Sequence, residues 1–201
     1  MISEIILNSL NEQDVCKVNA HVFKTQILSH LKRLSDADRY LRFGYQIKDE
    51  GIDTYVERMT AADIVFAIFN YEMEIVAMAH FAQLEDGTAE LGCSVDEEAR
   101  GKNYGTKLFK RAILTAKVLG IKEIFVQCLS ENKAMQHIAK KFEMDINTRY
   151  GETEGRLGMS DITPQEIIQY AFTSQLTMYD YAYKKHISNL AQIKNTFASI
   201  I

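Results

Sequence analysis

The segment Val95-Asp96-Glu97-Glu98-Ala99-Arg100-Gly101-Lys102-Asn103-Tyr104-Gly105-Thr106 joins a strand-like stretch to a strongly helical one. Before it, Ala89 to Val95 alternates, with Leu91, Cys93 and Val95 on one face and Glu90, Gly92 and Ser94 on the other. After it, Leu108, Ala112, Ile113, Thr115 and Ala116 recur at helical spacing from about Tyr104 to Leu119, and Gly120 is placed to stop the helix. Ile121 to Leu129 reads as the next strand. Strand, loop, helix and strand in this order make a βαβ unit with a parallel strand pair. The loop then sets amide N–H groups, two glycines and cationic side chains at a helix start. Free amide donors, a positive dipole end and open approach are what a pyrophosphate needs.

Other elements surround this unit. Leu10 to Arg42 reads mainly helical, with Ser35 capping a second helix and Gly51 marking a turn before a short helix, Ile52 to Met59. Ile64–Phe69 and Glu74–Leu84 form a β-hairpin about Asn70-Tyr71-Glu72. A helix runs from Ser130 or Glu131 to about Phe142. Met144–Tyr150 and Gly155–Ser160 close the sheet around Gly151 to Glu154.

Thr163-Pro164-Gln165-Glu166 combines a capping threonine, proline at the first helical position and glutamate at the third. No glycine or proline interrupts the run from there to Ile201. Unbroken, it would reach about 57 Å at 1.5 Å per residue. It must bend, break near Ser188-Asn189 or project, or else form two shorter helices folded back on the domain. The expected division is a domain over residues 1–162 and a helical extension over 163–201. A projecting apolar stripe would suit a homodimer.

The formal net charge is −4, and a mildly acidic chain is not built to coat nucleic acid. Residues 1–7 lack the basic start of a leader, and no apolar run spans a bilayer, so a cytoplasmic protein without a membrane partner is expected. Cys16, Cys93 and Cys128 are widely spaced and read as reduced packing residues, and with no paired Cys or His motif no metal is expected.

The order helix, hairpin, strand, glycine loop, helix, strand and Asn132-led helix resembles the GNAT superfamily of acyl-coenzyme A-dependent N-acetyltransferases over about residues 12 to 160. Its cofactor loop, Gln/Arg-x-x-Gly-x-Gly/Ala, appears as Arg100-Gly101-Lys102-Asn103-Tyr104-Gly105, with Asn103 where the middle glycine stands. Asparagine is the best other residue for positive φ. Leu34-Ser35-Asp36-Ala37-Asp38-Arg39-Tyr40-Leu41-Arg42-Phe43 and Cys128-Leu129-Ser130-Glu131-Asn132 resemble a bacterial subset of that family.

The resemblance implies an α/β fold, a mixed twisted sheet of six to seven strands flanked by helices. It implies acetyl-CoA as cosubstrate and direct attack of a primary amine, on a small molecule or a protein, on the thioester. Backbone of Cys93, Ser94 and Val95 would pair with the pantetheine arm, and amides of Arg100, Gly101, Lys102, Asn103, Tyr104, Gly105 and Thr106 would hold the pyrophosphate. Lys102, Lys107, Lys110 and Arg111 could meet the 3′-phosphate, although Lys110 and Arg111 suit a solvated helix face. Asn132 would bind pantetheine or cap its helix. Glu90, beside the small Gly92 and Ser94 that leave room for ligand, would be the base. Tyr40, Phe43 and Tyr45 would line the acceptor pocket.

The family's proton donor to the thiolate, a tyrosine, is Ala139 here, leaving Tyr150, His137, Ser130 or water; Tyr150 joins the catalytic set. A glycine expected before the closing strand is Glu143. The competing reading is a non-catalytic acyl-CoA sensor or interaction module. A Rossmann-type nucleotide enzyme fits poorly, because its glycine loop follows the first strand.

Overall fold

The computed structural model describes residues 16–19 and 23–198. Residues 1–7 and the end of the helical run, 199–201, lie outside the described residues, as does the Cys16 side chain.

In chain order the elements are β1 (Cys16–Asn19), α1 (Lys24–Arg33), α2 (Asp36–Phe43), α3 (Asp49–Glu57), β2 (Ile64–Phe69), β3 (Ile75–Gln83) and β4 (Thr88–Val95). A single 3-10 turn, Glu97–Ala99, precedes α4 (Tyr104–Leu119), β5 (Glu123–Leu129), α5 (Lys133–Lys141), β6 (Asp145–Arg149), β7 (Glu152–Gly158) and α6 (Pro164–Ala198). The seven strands form one sheet in the order β1-β2-β3-β4-β5-β7-β6. Every neighbouring pair is antiparallel except β4 and β5. The expected mixed sheet flanked by helices is observed, with a C-terminal helix beyond it.

Local chemistry accounts for the boundaries. The Ser35 hydroxyl accepts from the Asp38 amide, and Gly44, at φ 79°, ends α2. Gly120, at φ 70°, ends α4 by donating its N–H to Ala116 and Lys117 carbonyls. At the start of α6 the Thr163 amide donates to Glu166 Oε2 and the Glu166 amide to Thr163 Oγ1, the reciprocal capping that the sequence advertises.

Two apolar cores lie on opposite faces of the sheet. One joins Phe66, Phe81 and Leu91 to Leu108, Phe109 and Ala112 of α4. The other joins Val65, Phe69 and Met78 to Ile27 and Leu31 of α1 and Ile52 and Val56 of α3.

Several expectations meet a different outcome. The stretch read as mainly helical from Leu10 contains β1, which pairs with β2 along the sheet edge; edge pairing overrides local propensity there. Gly51 lies inside α3, where a Cβ would stand 2.8 Å from Ile47, so close packing rather than a turn selects it. The turn between β6 and β7 is only Tyr150-Gly151, both at positive φ, which a two-residue hairpin demands. The helix end at Glu143 survives without glycine because Glu143 itself adopts φ 54°.

The C-terminal run is one helix of 35 residues, without a break at Ser188-Asn189. It docks through Tyr181 against Phe23 and Phe69, through Ser174 to Arg111, and through Glu166 to Lys117. Its burial is inverted: Thr173, Thr177, Lys184 and Ser188 are buried, whereas Ile168, Phe172, Tyr179, Tyr183 and Leu190 are exposed. Arg111, read as a solvated cation, is 1% exposed and stacks on Tyr170.

Candidate functional site

Strands β4 and β5 pair only over Thr88–Glu90 and Glu123–Phe125. Beyond that point β4 stays paired to β3 as far as Val95, and β5 to β7 as far as Leu129, but they no longer meet each other. The sheet therefore opens as a wedge toward the glycine loop. An open strand edge needs hydrogen-bond partners, and an extended ligand can supply them. Helix α2 bridges the mouth. Asn132 Nδ2 donates to the Leu41 carbonyl, while Asn132 Oδ1 caps α5 by accepting from the Met135 amide.

A cavity of about 550 Å³ runs from this wedge to the start of α4. Cys93, Ser94, Val95, Arg100, Gly101, Asn103, Tyr104, Gly105, Thr106 and Asn132 all line it. Asn103 holds φ 61°, ψ 21°, and its side chain makes no cap. Among the described residues, the amides of Gly101 to Thr106 donate to no backbone or side-chain acceptor, so the helix start offers its donors outward. Gly105 lets α4 approach α5 closely: a Cβ there would lie 2.8 Å from the Ile138 Cδ1 methyl, which would have to shift. The Arg100 guanidinium is ion-paired with Asp38 of α2, tying loop to helix. Lys102 is exposed and does not line this cavity.

A second cavity, of about 540 Å³, lies on the other side of α2. Phe43, Tyr45 and Glu90 line it, as do Arg42, Tyr55 and His80, which the sequence did not single out. The two cavities share Leu41, Arg42, Cys93, Asn132 and Met135 as walls. Tyr40 lines neither cavity. Tyr150 also lines neither; it occupies the hairpin turn and its ring is wholly in solvent. His137 does border the loop-side cavity.

Gly92 and Ser94 do not leave empty room for a ligand, as their size suggested. A Cβ at Gly92 would collide with the Arg42 guanidinium, and Ser94 Oγ is 2.8 Å from His30 Nε2. Arg42 Nη2 donates to Tyr55 Oη at 2.9 Å, and Tyr55 Oη lies 2.6 Å from His80 Nδ1. The His80 tautomer sets which of the two donates in that contact. His80 Nε2 faces Asp63 at 3.2 Å, off the line of a full hydrogen bond. Burial lowers the His80 pKa, aided by the Arg42 charge, and burial raises that of the Tyr55 phenol, so both are neutral at neutral pH. The signal for this cluster was Gly92 itself: a glycine inside a strand marks a close approach.

The Cys93 thiol is pushed up to about 12 by burial and is no nucleophile; its contribution is backbone. At the far end of β4, burial works against ionisation of Asp96, but hydrogen bonds from His30 and Arg33 hold its carboxyl below the usual carboxylate range. Among the described residues no three His, Cys, Asp or Glu side chains cluster to hold a metal, and no helix is long and apolar enough to cross a membrane.

The fold is similar to that of several solved structures. The GNAT domain of S. lividans PAT matches with a TM-score of 0.60 and 15% identity, over 72% of this chain and 89% of that one. A GNAT-family acetyltransferase of Staphylococcus aureus Mu50 matches with a TM-score of 0.58 and 13% identity, over 73% and 99%. A GNAT superfamily phosphinothricin acetyltransferase of Sinorhizobium meliloti, solved with AcCoA, matches with a TM-score of 0.56 and 10% identity, over 73% and 88%. No curated protein matches the chain in sequence. The family model described as acetyltransferase (GNAT) family matches residues 31–144, more than half of the chain, which thus belongs to the GNAT acetyltransferases, a family of acyl-CoA-dependent acyl transfer enzymes.

Proposed function

We propose that the protein is an N-acetyltransferase that moves an acetyl group from acetyl-CoA to a primary amine by direct attack on the thioester. The observation that carries this reading is the joining of the strand wedge and the unpaired amides of residues 101–106 in one cavity, which meets a second cavity across Arg42 and Cys93.

In this reading the backbone of Cys93 to Val95 pairs with the pantetheine arm and one of its N–H groups polarises the thioester carbonyl. Amides from Gly101 to Thr106 hold the pyrophosphate. The amine enters through the cavity lined by Phe43, Tyr45 and Glu90. An ammonium has no lone pair, and its ordinary pKa is about 10.4. Glu90 takes its proton, directly or through water. The amine nitrogen then attacks the carbonyl carbon, the carbon–sulfur bond breaks, and the second proton of the nitrogen passes through water in the open cavity to the departing thiolate. An ordinary thiol pKa of about 8.5 makes that thiolate an adequate leaving group without the tyrosine replaced by Ala139.

Isothermal calorimetry with acetyl-CoA, followed by thiol release with an amine panel, tests the proposal. Micromolar binding with release is expected; no binding overturns it. The buried, alanine-filled site of the usual tyrosine and the exposed apolar face of α6 favour one other reading, a non-catalytic acyl-CoA sensor. Binding without turnover, together with a changed oligomeric state, would establish that instead.

A further inference from the structure

The Arg42 guanidinium sits where the two cavities meet, and the protein has made room for it. Gly92 gives up its side chain to the guanidinium plane, and Phe43 and Tyr55 rings lie 5.1 and 5.7 Å from its centre. Yet its hydrogen bonding is incomplete. Nη2 donates to Tyr55, whereas Nε is buried without a partner, and no carboxylate among the described residues pairs with it. Tyr55 cannot act as counter-ion, because burial keeps its phenol neutral. Glu90 stands two residues along the same face of β4, its Cα about 7 Å from that of Gly92 by strand rise. It makes no ion pair with Arg42.

Arg42 is half-buried and faces both cavities, and a guanidinium fixed by protein contacts yet left without a carboxylate presents a planar set of donors that matches one. We infer that Arg42 is a carboxylate receptor: the reaction joins or transfers a group bearing a carboxylate that docks against the cavity-facing side of its guanidinium. This deepens the acyl-transfer reading and rests on it. The carboxylate has two sources, the acceptor itself (an amino acid) or the far end of a dicarboxylic acyl chain on coenzyme A. In the first case Glu90 meets the ammonium while Arg42 meets the carboxylate of the same molecule.

The experiment has two arms, preceded by calorimetry with acetyl-CoA. Absence of acetyl-CoA binding removes the acyl-transfer reading and this inference together. In the donor arm, affinities of succinyl-CoA and butyryl-CoA are compared. In the acceptor arm, thiol release from acetyl-CoA is compared for each amino acid and its α-amide. A preference of about tenfold or more for the carboxylate form is expected in one arm, since a site built to bond a polar group rejects the analogue lacking it. The arm that shows it identifies the source. Arg42→Gln should reduce that ratio to below about threefold, and Arg42→Lys, which keeps the charge but loses the fork, should leave an intermediate ratio. Acetyl-CoA binding with no preference in either arm of the wild-type protein overturns the inference. So does a preference that persists in Arg42→Gln, and so does a lower unfolding temperature with unchanged ratios, which would make Arg42 a strut between α2 and the sheet.

Discussion

The two cavities on either side of α2 are built from different materials. The loop-side cavity is a backbone site. Its features are a strand edge left unpaired, amides of residues 101–106 aimed outward and glycine where α4 meets α5. The aromatic cavity is a side-chain site, in which Arg42, Tyr55 and His80 hydrogen-bond in a chain and Glu90 stands beside them. A backbone site tolerates many sequences and fails when something is added. A side-chain site fails when one functional group is removed.

The largest effect should come from adding bulk to the backbone site. Gly105→Trp would drive into Ile138 and cover the amides, and acetyl-CoA affinity should fall on the order of 1000-fold, equal to about 4 kcal/mol. Calorimetry with circular dichroism checks it; unchanged affinity would break the comparison. Next comes subtraction from the side-chain site. Glu90→Gln should lower kcat/KM about 100-fold at pH 7 with acetyl-CoA affinity retained. The loss should shrink toward pH 10, where the amine sheds its own proton. An equal loss at both pH values would deny Glu90 the proton.

Smaller effects concern the frame. The Asp96 carboxylate, held below its ordinary pKa, contributes stability that is complete above about pH 4 and disappears as pH falls through the lower folded value. Asp96→Asn should cost about 1–2 kcal/mol at pH 7 and progressively less as pH falls below about 4, read from urea midpoints. A constant cost across that range would exclude the ionised form as the source. The smallest effect is a gain: Glu143→Gly, relieving φ 54°, should stabilise by about 0.5–1 kcal/mol in urea while leaving acetyl-CoA affinity unchanged. A shift in affinity there would mean the two halves of the domain are coupled.

The same contrast explains what the sequence disclosed. Arg100 to Gly105 is contiguous, so the turn into α4, the left-handed Asn103 and the outward amides are written in adjacent letters. The alternation of β4 and the capping box at Thr163 were legible for the same reason. The aromatic cavity draws Arg42, Tyr55, His80 and Glu90 from four separate elements, and nothing local to any of them announces the others. Tyr150 stands in the hairpin turn facing solvent, a placement that its neighbours in sequence do not announce. Strand β1 was missed because a four-residue edge strand takes its structure from the neighbour it pairs with. The 35-residue helix is continuous but buries Thr173 and Thr177 and exposes Ile167, Ile168 and Ile193, reversing what hydropathy alone would place inside.

The parting of β4 from β5 has a mechanical consequence. Only three residue pairs stitch the front half of the sheet to the back half. A molecule laid into that seam acts as a temporary eighth strand, and every such molecule favours the closed sheet over the unfolded chain by mass action. The thermal endurance of this protein should thus rise and fall with the surrounding supply of activated thioester, so that a melting curve taken in cell extract becomes a gauge of that supply.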